Sequence, residues 1–219
     1  MNKSTWLIEI YKRCLVKFNL PIQFKIKKIL ATNNIIPLHI GCGTLYKEGW
    51  INIDNNSDHN IQKLDINYNL AHGIPFPGNS VDYIYHEHFI EHLSLDEGLA
   101  FLKECYRVLK KGATMRVACP DLDQLIQHYD NNTWQQQDWV TKYQCEWIKT
   151  RCQMINTCMN QDPWGHKYVY NREELKLRLM QSGFRESDII EAEYGLSNHL
   201  KLNNIDTRKD SMFFEITKN

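Results

Sequence analysis

The sequence predicts an α/β fold of the Rossmann-like, doubly wound kind, with a mostly parallel sheet and helices on both of its faces. Short apolar segments of strand character alternate with segments of helical periodicity, which is typical of parallel sheets. A glycine-rich turn follows the first of these segments, and capping patterns mark the start of two helices. Together these observations favour one α/β domain over residues 1–219.

Six apolar segments predict strands. They are rich in β-branched and aromatic residues, which favour extended structure, and turn residues separate them. In chain order they cover residues 36–40, 50–53, 81–85, 114–119, 188–194 and 211–217.

Two helices are predicted from their caps. Ser94 with Glu97 forms a capping box, and Gly112 is the predicted stop of that helix. A second capping box, Asn171 with Glu174, opens a helix that we expect to end at Gly183. The buried stripe of the first helix is predicted to consist of Leu99, Leu102, Tyr106 and Leu109.

Residues 121–168 differ in composition from the rest of the chain and predict a helical insertion late in the fold. This segment is rich in Gln, Asn and aromatic residues, whose flat faces and polar edges suit a sugar ring. In open α/β sheets ligands lie at the carboxyl ends of the strands, where this insertion begins. We therefore expect it to form the acceptor site. Its aromatic residues are Tyr129, Trp134, Trp139, Tyr143, Trp147, Trp164 and Tyr168.

Charge is unevenly distributed along a chain whose formal net charge is zero. Residues 1–28 carry seven Lys or Arg against one Glu, a net charge of +6, so the remainder carries −6. Residues 1–30 are predicted to form basic N-terminal helices, the first of them amphipathic and ended near Pro21. It would dock on its own domain or make peripheral contact with an anionic membrane. A nucleic-acid partner is disfavoured because the remainder of the chain, after residue 28, has a net negative charge.

The sequence predicts a cytoplasmic protein. Its seven cysteines are odd in number and include no CxxC pair, which favours free thiols in a reducing compartment. No run of 18 apolar residues is present, and charged residues interrupt the N-terminal segment where a secretory signal would need an apolar core.

The glycine-rich turn predicts a nucleoside site. Gly41 and Gly43 allow the main chain to turn tightly and to approach a ligand closely. Asp54 ends the next strand, where a carboxylate can accept both hydroxyls of a ribose. Tyr46 stands where a dinucleotide fingerprint would need a third glycine. A nucleoside without a phosphate cradle is therefore the predicted ligand.

The chain resembles the class I S-adenosylmethionine-dependent methyltransferases, in particular the compact members similar to methyltransferase type 11. Six segments carry the resemblance in order: LHIGCG at 38–43, WINID at 50–54, KLDI at 63–66, residues 74–93, residues 107–122 and residues 168–184. Three features depart from the family pattern. His39 replaces an acidic residue, Leu45 replaces a glycine, and only residues 44–49 separate Gly43 from the second strand, so the first helix must shrink to a turn.

The resemblance implies S-adenosylmethionine as the cofactor and a set of residues that bind it. His39, Gly41 and Gly43 would lie at its methionine part, Asp54 at the ribose, and Asp65 at the adenine edge. Ile74, in the segment 74–76, would pack nearby. The residues at the end of the predicted strand 81–85 and just after it would line the reactive end of the cofactor: Tyr85, His86, Glu87 and His88.

Three residues are candidates for the catalytic base or for orienting the acceptor. His166 is the first of them, because it lies between the insertion and the following helix, and histidine suits proton transfer near neutral pH. His88 is the second, and Asp121, which could instead cap the next helix, is the third. All three also have purely structural alternatives.

His88, Glu91 and His92 match the HxxEH pattern of some zinc proteases. Two histidines would share one helical face, but a third ligand is not evident and a new helix starts at Ser94. The prediction is therefore that the protein holds no metal, with Glu91-His92-Leu93 in a structural or cofactor-shaping role.

The predicted function is methyl transfer from S-adenosylmethionine to a small-molecule or glycan acceptor, at a hydroxyl group. The alternative is a non-catalytic S-adenosylmethionine-binding or scaffold protein, with His39 and Leu45 as marks of a decayed site.

Overall fold

In the computed structural model, which describes residues 20–55, 61–160 and 165–219, one seven-stranded sheet forms the centre of the protein. The strand order is β3-β2-β1-β4-β5-β7-β6. The strands β1 to β5 pair in parallel, and β7 runs antiparallel to both β5 and β6. The strands are β1 (Pro37–Ile40), β2 (Ile51–Asp54), β3 (Ile66–Asn67), β4 (Val81–Glu87), β5 (Leu109–Pro120), β6 (Ile189–Ala192) and β7 (Ser211–Thr217).

The predicted fold class is confirmed, and so are all six predicted strands. The antiparallel closing strand is β7. The short strand β3 was not predicted, because two residues carry no periodicity. It exists through its pairing with β2, in which Ile53 faces Ile66.

Helices pack on the sheet, and residues of both form the buried apolar core. They are α1 (Leu20–Thr32), α2 (Leu95–Val108), α3 (Leu122–Asp130), α4 (Asp138–Lys142), α5 (Arg151–Asn160) and α6 (Arg172–Ser182). Pro21 lies in the first turn of α1, where its missing N–H is harmless. The amphipathic helix predicted before Pro21 lies outside the described residues.

The capping box of Ser94 and Glu97 at the start of α2 is confirmed in both directions. The prediction that Gly112 stops this helix is wrong. The helix ends at Val108, because Leu109 already pairs with Val81 as the first residue of β5. Gly112 lies inside that strand with a φ of +79°.

The start and end of α6 agree with the prediction, apart from one bond. The Asn171 side chain accepts from the Glu174 N–H, and Gly183 closes the helix with a φ of +117°. The Glu174 carboxylate does not complete the box, because it accepts instead from the Tyr168 hydroxyl and from Arg178.

The connection between β1 and β2 contains no helix. Residues 41–50 form only turns, although the two strands are parallel neighbours. The predicted reduction of the first helix to a turn is confirmed. This short connection brings the glycine-rich turn directly beside the end of β2.

Helices α3, α4 and α5 form the predicted helical insertion. It has a small apolar core of its own, made by Leu125, Trp134, Val140, Cys145, Ile148 and Met154. Within the described part of the chain, every helix is too short or too polar to span a lipid bilayer. The assignment of residues 1–219 to one domain stays a prediction.

Candidate active site

The predicted cofactor crevice lies where β1 and β2 end beside each other. Asp54 is the last residue of β2, and its Oδ2 accepts a hydrogen bond from the Gly43 N–H at 2.7 Å. Its Oδ1 accepts from the Asn55 N–H at 2.6 Å. Each oxygen of this half-buried carboxylate retains a lone pair for another donor. Asp54 can therefore accept the hydroxyls of a ribose, which is its predicted role.

The two glycines of the turn differ in their surroundings. Both have positive φ angles, +64° for Gly41 and +51° for Gly43. A Cβ on Gly41 would lie 2.3 Å from Cδ2 of Phe89, so this glycine allows an aromatic ring to pack on the main chain. A Cβ on Gly43 would meet no heavy atom within 4 Å. The open space for a ligand is therefore at Gly43.

Asn52, in the middle of β2, organises the residues on either side of it. Its Oδ1 lies 2.9 Å from Nδ1 of His39 on β1. Its main-chain and side-chain N–H groups donate to Asp65 Oδ2 at 2.8 and 3.0 Å. The other oxygen of Asp65 accepts from the Tyr46 hydroxyl at 3.1 Å. His39 and Asp65 are thus both hydrogen-bonded to Asn52. Their contacts with a cofactor stay predictions.

The residues at the end of β4 are more deeply buried than the sequence suggests. The Tyr85 ring packs against Trp50, with centroids 6.2 Å apart. His86 packs edge-on against the rings of Phe89 and Phe101, and neither of its nitrogens has a hydrogen-bond partner among the described residues. Burial lowers the pKa of His86 to about 4, so its imidazole is neutral.

Glu87 and His88 contact the segment that leads into β7. The Glu87 carboxylate accepts from the N–H groups of Thr207 and Arg208 at 2.8 and 3.1 Å. His88 has a φ of +51°, which is uncommon for a residue with a Cβ. Its Nδ1 lies 2.7 Å from Nη1 of Arg208 and its Nε2 lies 2.8 Å from Oγ of Ser211. Both nitrogens of His88 are therefore engaged.

His166 lies beside Glu91 and His92, in a group that the sequence did not predict. Glu91 and His92 belong to the single turn Ile90–His92 after β4, and the ligand atoms of the three residues all lie within 4.8 Å of one another. The Glu91 side chain is fully buried. The HxxEH pattern indicated two of the three residues, but the partner from residue 166 is visible only in the tertiary structure.

Asp121, the third catalytic candidate, is occupied by structural contacts. Its Oδ1 accepts from the Asp123 N–H and caps α3, while its Oδ2 forms an ion pair with Arg172. Its side chain is almost fully buried. The contacts of Asp121 are therefore those of the predicted helix cap. Its role in orienting the acceptor or accepting a proton stays a prediction.

Ile74 lies in the wall of a cavity. This cavity has a volume of about 470 Å³ and lies between residues 70–77 and helix α2. Its principal polar feature is the ion pair of Glu104 with Arg107, which also hydrogen-bonds the main chain at Ile74. The cavity brings together none of the predicted catalytic residues, so we place the active site at the strand ends.

The comparisons with known proteins agree with this fold. Residues 51–117 match the model of a family described as a methyltransferase domain. A S-adenosylmethionine-dependent methyltransferase from Archaeoglobus fulgidus is 17% identical with a TM-score of 0.53, over 99% of this chain and 100% of that one. A protein from Thermotoga maritima, described as a possible histamine N-methyltransferase, is 16% identical with a TM-score of 0.53, over 97% and 96%. A search of curated proteins finds no match.

The site is consistent with the cofactor of this family. Gly43 leaves its surroundings open, and Asp54 offers acceptor positions for a diol next to it. The family match covers residues 51–117, which run from β2 into β5. The sheet order and the fold likeness agree with this match. On this evidence residues 51–117 are similar to a methyltransferase domain, and the chain has the fold of the S-adenosylmethionine-dependent methyltransferases that it matches.

Proposed function

We propose that this protein is an S-adenosylmethionine-dependent methyltransferase and that it methylates a hydroxyl group of a small-molecule or glycan acceptor. The proposal is carried by the group of the buried Glu91 with the half-buried His92 and His166, after the end of β4. A hydroxyl must lose a proton when it is alkylated, so its methylation benefits from a proton acceptor in the site. The imidazole Nδ1 of His166 is buried and has no hydrogen-bond partner among the described residues.

Asp54, Gly41 and Gly43 are the residues that would hold S-adenosylmethionine. When bound, this cofactor supplies a methyl group activated by its sulfonium. The contribution of the chain is to align the two reactants and to exclude water, and such positioning can supply about 7–11 kcal/mol of the barrier. The apolar packing of His86 and Phe89 beside Gly41 supports this exclusion of water.

The acceptor would lie between the strand ends and the helical insertion. Tyr143 and Trp147 are about half exposed in this insertion, at 50% and 52%. Arg208, which also contacts His88, lies over the ring of Tyr143 at 5.5 Å. This contact connects the insertion to the end of β4. Exposed aromatic faces with polar edges suit a sugar ring, which supports the glycan as acceptor.

Turnover with labelled S-adenosylmethionine tests this proposal. The assay uses a panel of mono- and oligosaccharides together with small alcohols and amines. We expect the label in the hydroxyl acceptors, and a His166→Ala turnover lower by about 10²–10⁴-fold. The affinity for S-adenosylmethionine, measured by calorimetry, should be unchanged in that variant. Label only in the amines, or an equal loss of cofactor affinity, would contradict the proposal.

A further inference from the structure

The group formed by Glu91, His92 and His166 has the composition of a metal site. It offers one carboxylate and two imidazoles, a ligand set found around catalytic zinc and around other divalent first-row metals. We propose that these three residues bind one divalent transition-metal ion, with Zn²⁺ or Co²⁺ as suitable probes. The binding itself rests only on residues of this chain and is independent of the proposed function.

Main-chain hydrogen bonds place the three ligands together. The N–H groups of Lys167 and Tyr168 donate to the Glu91 carbonyl at 2.8 and 3.2 Å. These bonds fix residue 166 next to residue 91 across the fold. The imidazole rings of His92 and His166 then lie 5.1 Å apart at an angle of 74°. The arrangement is therefore held by main-chain hydrogen bonds.

The Glu91 carboxylate is buried without compensation. Its side chain is 0% exposed, and neither of its oxygens has a hydrogen-bond partner among the described residues. The Nδ1 of His166 is buried and unpartnered in the same way. Buried polar groups are normally paired, because an unpaired charge in the protein interior is costly. A cation bound between these atoms would satisfy all of them.

The nearest protein group does not supply the missing donor. His88 Nδ1 lies 3.2 Å from Glu91 Oε1, but it also lies 2.7 Å from a guanidinium nitrogen of Arg208. Arginine can only donate, so this Nδ1 must accept and carries no proton. The proton of the ring is then on Nε2, which lies 2.8 Å from Ser211 Oγ. The Nδ1 of His88 therefore has no proton to donate to Glu91 Oε1.

The backbone conformation of His88 is also typical of a functional site. Its φ of +51° is strained for a residue with a Cβ, and strained residues are concentrated at functional sites. The backbone changes direction at His88, directly after β4, and Glu91 and His92 lie in the turn that follows. Three protein ligands would leave at least one coordination position open for an acceptor or for water.

The consequence for catalysis rests on the proposed function. An ion at this position would bind the acceptor through its oxygen atoms and lower the pKa of the reacting hydroxyl. An acceptor with two adjacent oxygens suits such an ion best. His166 would then act as a ligand, and the hydroxyl, with its pKa lowered by the ion, would release its proton to water before its oxygen accepts the methyl group. Turnover that depends on the metal would indicate activation of the acceptor by the ion. Turnover without the metal would indicate His166 as the proton acceptor.

Cobalt binding tests the site without any substrate. Protein stripped with a chelator is titrated with Co²⁺ while the visible ligand-field absorption is recorded. We expect one ion per chain, displaced by Zn²⁺, and an affinity at least about 10-fold lower in Glu91→Gln and in His166→Ala. The control is His72→Ala, because His72 lies in the separate turn Leu70–His72 and should bind Co²⁺ as the parent does.

Circular dichroism and thermal melting of each variant show whether it is folded, and His92→Asn replaces any variant that is not. No stoichiometric binding to the folded parent, or equal binding by all variants, would overturn the site. Calorimetry with S-adenosylmethionine on the metal-free protein is independent, so failure of the metal site leaves the methyltransferase proposal intact.

Discussion

The Nδ1 of His39 donates a hydrogen bond to the Oδ1 of Asn52 across paired positions of β1 and β2. The direction is set by Lys47, whose N–H donates to the same oxygen and whose carbonyl accepts from the Asn52 amide nitrogen. His39 must therefore carry its proton on Nδ1. An acidic residue here, as in the related family, would place an acceptor against an acceptor, so the departure at residue 39 matches the presence of Asn52.

Acid should destabilise the protein through His39. Burial lowers the pKa of this imidazole from its usual 6.5 to about 4. The unfolded chain therefore binds a proton between pH 6.5 and pH 4 that the folded chain does not, and stability falls as the pH falls through this window. The loss is at most about 1.4 kcal/mol per pH unit.

The measurement is urea unfolding at several pH values in the parent and in His39→Gln, which keeps a donor for Asn52. We expect the variant to lose about one proton equivalent of this pH dependence. The buried His86 remains in both proteins, so its contribution cancels in the difference. Identical slopes in the two proteins between pH 6.5 and pH 4 would contradict the assignment.

Asp54→Ala should abolish the stabilisation of the protein by S-adenosylmethionine. A ligand at 100 times its Kd raises the free energy of unfolding by about 2.7 kcal/mol, which thermal melting detects readily. The variant should lose this gain, because it lacks the carboxylate next to Gly43. Asp130→Ala, at an exposed position at the end of α3, is the control. Undiminished stabilisation of Asp54→Ala would exclude the ribose role.

The two glycines of the turn should respond differently to alanine. Gly41→Ala should be strongly destabilising, because its Cβ would overlap the ring of Phe89. Gly43→Ala should cost only about 1–2 kcal/mol of backbone strain, yet weaken cofactor binding by filling the open side of the turn. Urea unfolding and calorimetry separate the two effects. The double variant Gly41→Ala with Phe89→Ala should recover part of the stability lost at Gly41, and a simple sum of the two losses would argue against the overlap.

The buried ion pairs of Arg116 should dominate the electrostatic stability of the sheet. Arg116 is fully buried and pairs with Asp206 and with Glu215, while it also donates to the carbonyls of residues 193 and 196. Arg116→Met leaves two carboxylates without their partner and should cost about 3–5 kcal/mol of unfolding free energy. Lys63→Ala removes an exposed ion pair with Glu48 and should cost far less, because water screens this pair. Similar losses in urea unfolding would refute this distinction.

The local elements of this fold were predictable because their determinants are close in sequence. Periodicity places the strands, and the Ser94 and Gly183 caps place one helix start and one helix end. The turn from Gly41 to Asp54 could be predicted for the same reason, since glycine conformation and a strand-ending carboxylate are local properties. These features were sufficient for the fold class and for the crevice between β1 and β2.

Pairing partners decided the remainder. Strand β3 exists because Ile66 pairs with Ile53, and β5 begins at Leu109 because Val81 is its neighbour, so the predicted stop at Gly112 failed. The amino-acid sequence by itself determined an α/β chain with a glycine-rich turn beside a strand-ending carboxylate. Only the tertiary structure brought His166 to Glu91, because two main-chain hydrogen bonds between distant segments make that contact, and no local pattern encodes them.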